Sequence, residues 1–154
     1  MSKKCENIYK TSRTTAGMTQ EQASEALNVA PRTLSDYENG HTRVPDDIVA
    51  AMTEAYNQPL LAYFHLKKYS PLGKYLPDVQ DPQSNGDMAF QAIIAREELE
   101  PAVDSLKQIV ADGTIESDEK EEFGNAINTV RKVNGKLFSV VAYADKIGKK
   151  GEKE

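Results

Sequence analysis

The chain has 154 residues, 39% of them hydrophobic, a formal net charge of −5 and a single cysteine. This suffices for one domain or two small ones with modest cores. No apolar run reaches membrane-spanning length, and the start MSKKCENIYK has no apolar segment of the kind that directs export, so neither a membrane protein nor a secreted one is expected. Cys5 alone cannot close an internal disulfide, which fits a reducing cytoplasm and a surface or cap role without chemistry.

Residues 6–15 read as a first helix, with Ile8 and Tyr9 inward, Lys10 and Arg13 on or beside the opposite side, and Gly17 as the stop. Thr19 is an N-cap candidate for a second helix that places Ala23, Ala26 and Leu27 on one face. Asn28 tolerates the left-handed conformation that commonly ends a helix, and Val29 plugs the corner. A third helix starts at Ala30-Pro31, because proline at the first helical position gives up only an amide that had no partner. It closes at Asn39-Gly40. Leu34 and Tyr37 point inward at i, i+3 and leave Pro31, Arg32, Thr33, Ser35 and Asp36 outward. Two short helices joined by a tight turn, the second showing small polar side chains and one arginine, suit insertion into a major groove.

The loop after Gly40 runs to Pro45, where proline followed by Asp46 and Asp47 marks the start of a fourth helix with Ile48, Val49, Met52 and Tyr56 on its core face. A fifth begins around Pro59, with Leu60, Leu61 and Phe64 closing the domain and His65 a further candidate. His65 has no second His, Cys or nearby carboxylate at ligand spacing, so a structural or solvent role is expected for it.

The stretch TQEQASEALNVAPRTLSDYENG, with flanks from about Ile8 to Phe64, resembles the lambda-repressor-like (Xre/Cro) helix-turn-helix family. The resemblance implies a five-helix domain that binds double-stranded DNA. It also implies that Arg13 and Glu38 form a buried structural ion pair, so that breaking one partner harms folding before recognition. Gln20 falls at the family's phosphate-contacting position at the start of the second helix, and Arg43 matches another; Lys10 and His41 lie where they can join them. The chain departs from the pattern at Ser24, where alanine is usual, at Ala30, where Ser or Thr caps, and at Pro31, where a base-reading glutamine is common. Base readout therefore shifts to Arg32 as a bidentate donor to guanine, with Thr33 against a thymine methyl, Ser35 to a base or phosphate, and Asp36 either accepting from cytosine or repelling DNA.

The acidity lies in the second half. Residues 1–68 hold eight Lys and Arg against eight Asp and Glu; the remainder holds eleven against sixteen. A neutral first domain has no strong basic field, so non-specific DNA affinity should be weak and steeply salt-dependent.

From Tyr69 to Gly86 three prolines and two glycines interrupt any period, which reads as a linker, with Leu72, Tyr75, Leu76 and Val79 suggesting partial packing on the first domain. The second half, 87–148, is helical by pattern. Asp87 caps a segment bearing Ala92, Leu99, Val103, Leu106 and Val110, and Pro101 is expected to kink or split it. After Asp112-Gly113 a long helix starts near Ser117. Its Phe123, Ile127, Val130, Asn134, Leu137 and Val141 alternate by four and three as a heptad seam, with Val133, Phe138 and Val140 off it as a possible second apolar face. One polar residue in such a seam fixes register and oligomer number when it faces a partner; Asn134 reads equally well on a solvated edge. Two apolar faces on a long helix favour a homodimer, two hairpins closing a four-helix bundle. Residues 149–154 read as a frayed tail.

The DGTIESDE turn partly matches a calcium loop but cannot complete one, because Gln108 and Val110 would hold its first two ligand positions. No metal and no cofactor are expected. The turn reads as a helix-helix connection capped by Ser117, with Ile115 plugging the hairpin, and is similar to the C-terminal hairpin of some phage lysogeny regulators. Without a Gly-rich phosphate loop, a Cys/His cluster or a nucleophile-base arrangement, the chain does not read as an enzyme. Two functions are then expected in order: a sequence-specific transcriptional regulator, a repressor of phage or mobile-element type, or a protein-interaction module such as an antitoxin, antirepressor or adaptor that keeps the fold without DNA.

Overall fold

The computed structural model describes residues 7–151, so Cys5, Lys3, Lys4 and the last three residues of the expected tail lie outside the described part. Among the described residues the fold is all-helical: α1 (Ile8–Thr15), α2 (Gln20–Ala26), α3 (Pro31–Asn39), α4 (Asp46–Ala55), α5 (Leu60–Tyr69), a 3-10 turn (Pro71–Tyr75), α6 (Asn85–Ile109) and α7 (Lys120–Gly151). They form two compact units, one running up to Lys74 and taking in the stretch from Asp145 onward, the other spanning Tyr75–Ala144. No described helix is long and apolar enough to cross a membrane.

The boundaries of α1 to α5 follow from local chemistry. Asn7 caps α1 by accepting from the Tyr9 amide, and Thr19 and Gln22 form a reciprocal capping box at the start of α2. Asn28 stands at φ 52° and Gly40 at φ 72°, the left-handed turns that release α2 and α3. Asn57, at φ 48°, does the same after α4. Around one core, Tyr9, Ala23, Leu27, Leu34, Val44, Val49, Met52 and Leu61 are buried. Ala26, expected on the inner face of α2, is exposed, and Ser24 is buried in its place, its hydroxyl donating back to the Glu21 carbonyl. Serine fits there because that local bond satisfies it without a partner from another helix.

Tyr56 is buried among these helices, its hydroxyl without a hydrogen-bond partner among the described residues. Burial, reinforced by the Glu38 carboxylate and opposed by Arg13, pushes its pKa up to about 12. The folded state thus holds this proton more tightly than the unfolded chain, so the contribution is complete below pH 10 and is lost as pH rises towards 12. Tyr56→Phe removes both the unpaired hydroxyl and this titration; it should raise stability by about 1 kcal/mol at neutral pH and shift alkaline unfolding upward in circular-dichroism melts.

In the second unit α6 starts three residues earlier than the Asp87 cap would allow, because the Ser84 hydroxyl takes the Asp87 amide at 3.1 Å and the Asp87 carboxylate turns back to the Gln83 amide. Pro101 does not split the helix. It sits on the exposed side, where water can satisfy the Glu97 carbonyl it leaves unbonded, while Ala95, Ala102 and Ile109 continue one buried stripe across it. After the turn, α7 begins at Lys120, with the Glu119 carboxylate accepting from the Glu116 amide, and Ser117 is not its cap. Ile115 is exposed and plugs nothing. Antiparallel contacts Lys136 to Glu98 (2.6 Å) and Ser105 to Glu122 (2.7 Å) tie α6 to α7. The segment before α6 lies against α7 as a strap: the Gln80 amide donates to the Ser139 hydroxyl at 3.1 Å, and Pro82 is fully buried.

Candidate nucleic-acid interface

The surface that carries the expected base-reading residues is the outer side of α3. Its inner side is committed: Leu34, Tyr37 and Glu38 are buried. Pro31 starts the helix without any side-chain cap at Ala30, and Gly40 ends it by sending its own amide to Tyr37 and the His41 amide to the Asp36 carbonyl. What remains outside is Arg32, exposed, and Thr33, Ser35 and Asp36, half-buried.

Glu38 holds this surface in place from beneath. Its carboxylate accepts Arg13 Nε at 2.5 Å and Nη2 at 3.0 Å, a bidentate arrangement, and Gln20 Nε2 at 2.8 Å. Arg13 Nη1 donates to the Met18 carbonyl at 2.7 Å, and Asn7 Nδ2 to the Tyr37 carbonyl at 3.0 Å. One carboxylate therefore joins α1, the start of α2 and α3. The hydrogen bond that Arg13 donates to Glu38 is the main reason its guanidinium is held above its ordinary pKa, its burial acting the other way.

The expected contact residues divide into those free to reach a ligand and those engaged inside the chain. Arg32 is exposed and makes no hydrogen bond or ion pair with the described residues; Lys10 and Arg43 are also exposed. Gln20 directs its amide nitrogen to Glu38, an arrangement set by the carboxylate being an acceptor only, so one of its two N–H donors is used inside the chain. Ser35 is met by Asn39 Nδ2 at 3.2 Å on its hydroxyl and 2.8 Å on its carbonyl. Asp36 lies 3.4 Å from His41 Nδ1, which brings two of the expected contact residues together.

Sequence reasoning missed a buried polar chain behind this surface. The Tyr9 hydroxyl is 2.7 Å from His65 Nδ1, and His65 Nε2 is 3.0 Å from Asp46 Oδ1, so His65 does have a carboxylate partner, nineteen residues away. A proton on Nε2 satisfies both bonds with a neutral ring. Burial above all, with the neighbouring Tyr69, raises the Tyr9 phenol well beyond its usual range, so it stays a donor. The group is structural in form, joining α1, the start of α4 and α5. Its only local signal was the Pro45-Asp46 helix start, which says nothing of a histidine in another helix.

Residues 10–62, about a third of the chain, match the helix-turn-helix family model. No curated protein and no solved structure matches the chain.

Proposed function

Since residues 10–62 are a helix-turn-helix domain of the lambda-repressor-like (Xre) type, a regulatory DNA-binding class, we propose that the chain is a sequence-specific transcriptional repressor of phage or mobile-element type that binds a two-fold symmetric operator as a dimer in the cytoplasm. The observation that carries this reading is Arg32: an exposed guanidinium without a partner among the described residues, on the outer face of a helix whose inner face is anchored in the core. A guanidinium there matches the paired O6 and N7 acceptors of guanine in the major groove. Thr33 is suited to a thymine methyl, Ser35 to a base or phosphate, and Asp36 to the cytosine amino group. Lys10, Arg43 and His41 flank α3 in positions to meet phosphates, with Gln20 joining through the amides at the start of α2.

Selection of bound duplexes from a random pool, run side by side on the wild type and Arg32→Ala, tests this. The wild type should recover a two-fold symmetric site. Arg32→Ala should bind that site about 10- to 200-fold more weakly, with its thermal midpoint nearly unchanged. Equal binding by the variant removes Arg32 from the readout. The engagement of Gln20 and Ser35 within the chain, together with Pro31 and the neutral charge of residues 1–68, favours a second reading: an antitoxin, antirepressor or adaptor that uses the same face for a protein. Enrichment of no sequence by either protein would select that reading.

A further inference from the structure

The unit Tyr75–Ala144 keeps small side chains inside and large ones outside. On α6 Ala95, Ala102 and Ile109 are buried, and on α7 Ala126 and Val133, each set at intervals of seven, and the side-chain bonds Ser105 to Glu122 and Lys136 to Glu98 join the two helices. Val133, expected on a secondary face, thus belongs to the internal core. The larger apolar residues of the two heptad patterns are left half-buried, as Leu99, Val103 and Val130 are, or exposed, as Val110 (46%), Leu137 (43%) and Val141 (59%) are.

These two stripes lie on one side of the hairpin. At about 100° per residue, each is rotated by roughly 70° from its own helix's buried stripe, in the same sense along the chain. Antiparallel helices turn in opposite senses when viewed from one end, so equal rotations bring both stripes onto the same flank. On α7 the face turned away from α6 is already covered: Gly135 lies against the Asp78 carbonyl and Ser139 against the Gln80 amide. The flank between is half-buried at Leu99, Val103 and Val130 and exposed at Val110, Leu137 and Val141.

A second copy of this chain fits that flank. The stripes 92–110 and 123–141 are each about 27 Å long, and two helices side by side are about 20 Å wide, so a self-pairing buries roughly 500 Å² on each copy, near the lower bound of a specific interface. A two-fold contact needs a surface that complements itself. The two stripes contain no charge, and their one polar residue, Asn134, is exposed and makes no hydrogen bond with the described residues. A carboxamide carries both donor and acceptor, so two copies of Asn134 can satisfy each other near the middle of the seam. We propose that the flank formed by Leu99, Val103 and Val110 of α6 and Val130, Leu137 and Val141 of α7 is where a second copy docks, two hairpins closing a four-helix bundle. This rests on the dimeric reading above and assigns the surface that carries it.

Light scattering on the full-length chain at micromolar concentration decides the matter. The wild type should have twice the 17.0 kDa chain mass. Val141→Asp and Val110→Asp, each placing a carboxylate at an exposed position on the flank, should weaken association by more than about 100-fold while keeping the helical circular dichroism of a folded chain. Phe90→Asp, at a 60% exposed apolar residue outside both stripes, should remain dimeric. A monomeric wild type overturns the assignment; so does dimerisation of both valine variants, or dissociation caused by Phe90→Asp. Should the two valine variants lose their helicity, Asn134→Asp, at an exposed and already polar position of the same stripe, takes their place: it should weaken association, and an unchanged dimer overturns the assignment. A dimeric wild type, with the variants as expected, that selects no duplex supports this surface and removes the DNA reading. A monomer that selects a site does the reverse.

Discussion

Arg13→Ala is expected to destabilise the first unit by about 3–5 kcal/mol, a large part of the 5–15 kcal/mol that holds a domain of this size together. The reason lies with the partner. Glu38 is 3% exposed, and without the guanidinium its carboxylate keeps only the Gln20 amide while remaining cut off from water. Three elements lose their common tie at once: α1 through Arg13, the start of α2 through Gln20, and α3 through Glu38 itself. Urea denaturation followed by circular dichroism measures the loss. The double variant Arg13→Met, Glu38→Leu should lose much less than the single one, because no buried charge is left without its counterion. A loss below about 1 kcal/mol for Arg13→Ala would show that the pair is not structural. Loss of DNA binding by Arg13→Ala would therefore follow from unfolding, which separates it from Arg32→Ala, where binding should fall with the thermal midpoint nearly unchanged.

Two glycines of α7 should respond in opposite directions to the same substitution. At Gly135 a Cβ would run into the Asp78 carbonyl oxygen, with the carbonyl carbon at 3.1 Å and Pro77 Cβ at 3.5 Å. The obstacle is backbone, so no rotamer change relieves it. Gly135→Ala must push the strap off α7, at a cost of about 1–3 kcal/mol that outweighs alanine's advantage within a helix of about 1 kcal/mol. At Gly124 no atom of the described residues lies within 4 Å of the same position. Gly124→Ala should consequently stabilise the chain by up to about 1 kcal/mol. Thermal melts of the two variants measure both. Stabilisation by Gly135→Ala would mean that the strap does not rest on the helix in solution.

How much of this could be read beforehand depends on the range over which each residue acts. Thr19, Asn28, Pro31 and Gly40 work within their own turn, through a capping hydroxyl, left-handed backbone or a missing amide, and the helix-turn-helix was legible from them. The outward position of Arg32 follows from the same 3.6-residue period that buries Leu34 and Tyr37. Where two neighbouring residues compete for one role, local reasoning erred: Ser84 caps α6, leaving the Asp87 carboxylate to bind Gln83. The pairing of Gln20 with Glu38, and of His65 with Asp46 and Tyr9, joins residues eighteen to fifty-six positions apart and left no mark in either neighbourhood.

The second unit shows the division most clearly. By itself the sequence determined that two long helices follow the first domain and that each carries an apolar stripe, because hydrophobic spacing encodes the helical period directly. It could not assign the faces. Ala95, Ala102, Ala126 and Val133 are buried, whereas Leu137 and Val141 stay at the surface although they are at least as apolar, so hydrophobic character alone does not rank the faces. Only the tertiary structure decided which stripe the chain uses on itself, since burial depends on what the other helix and the strap can reach, and that is a property of their packing together.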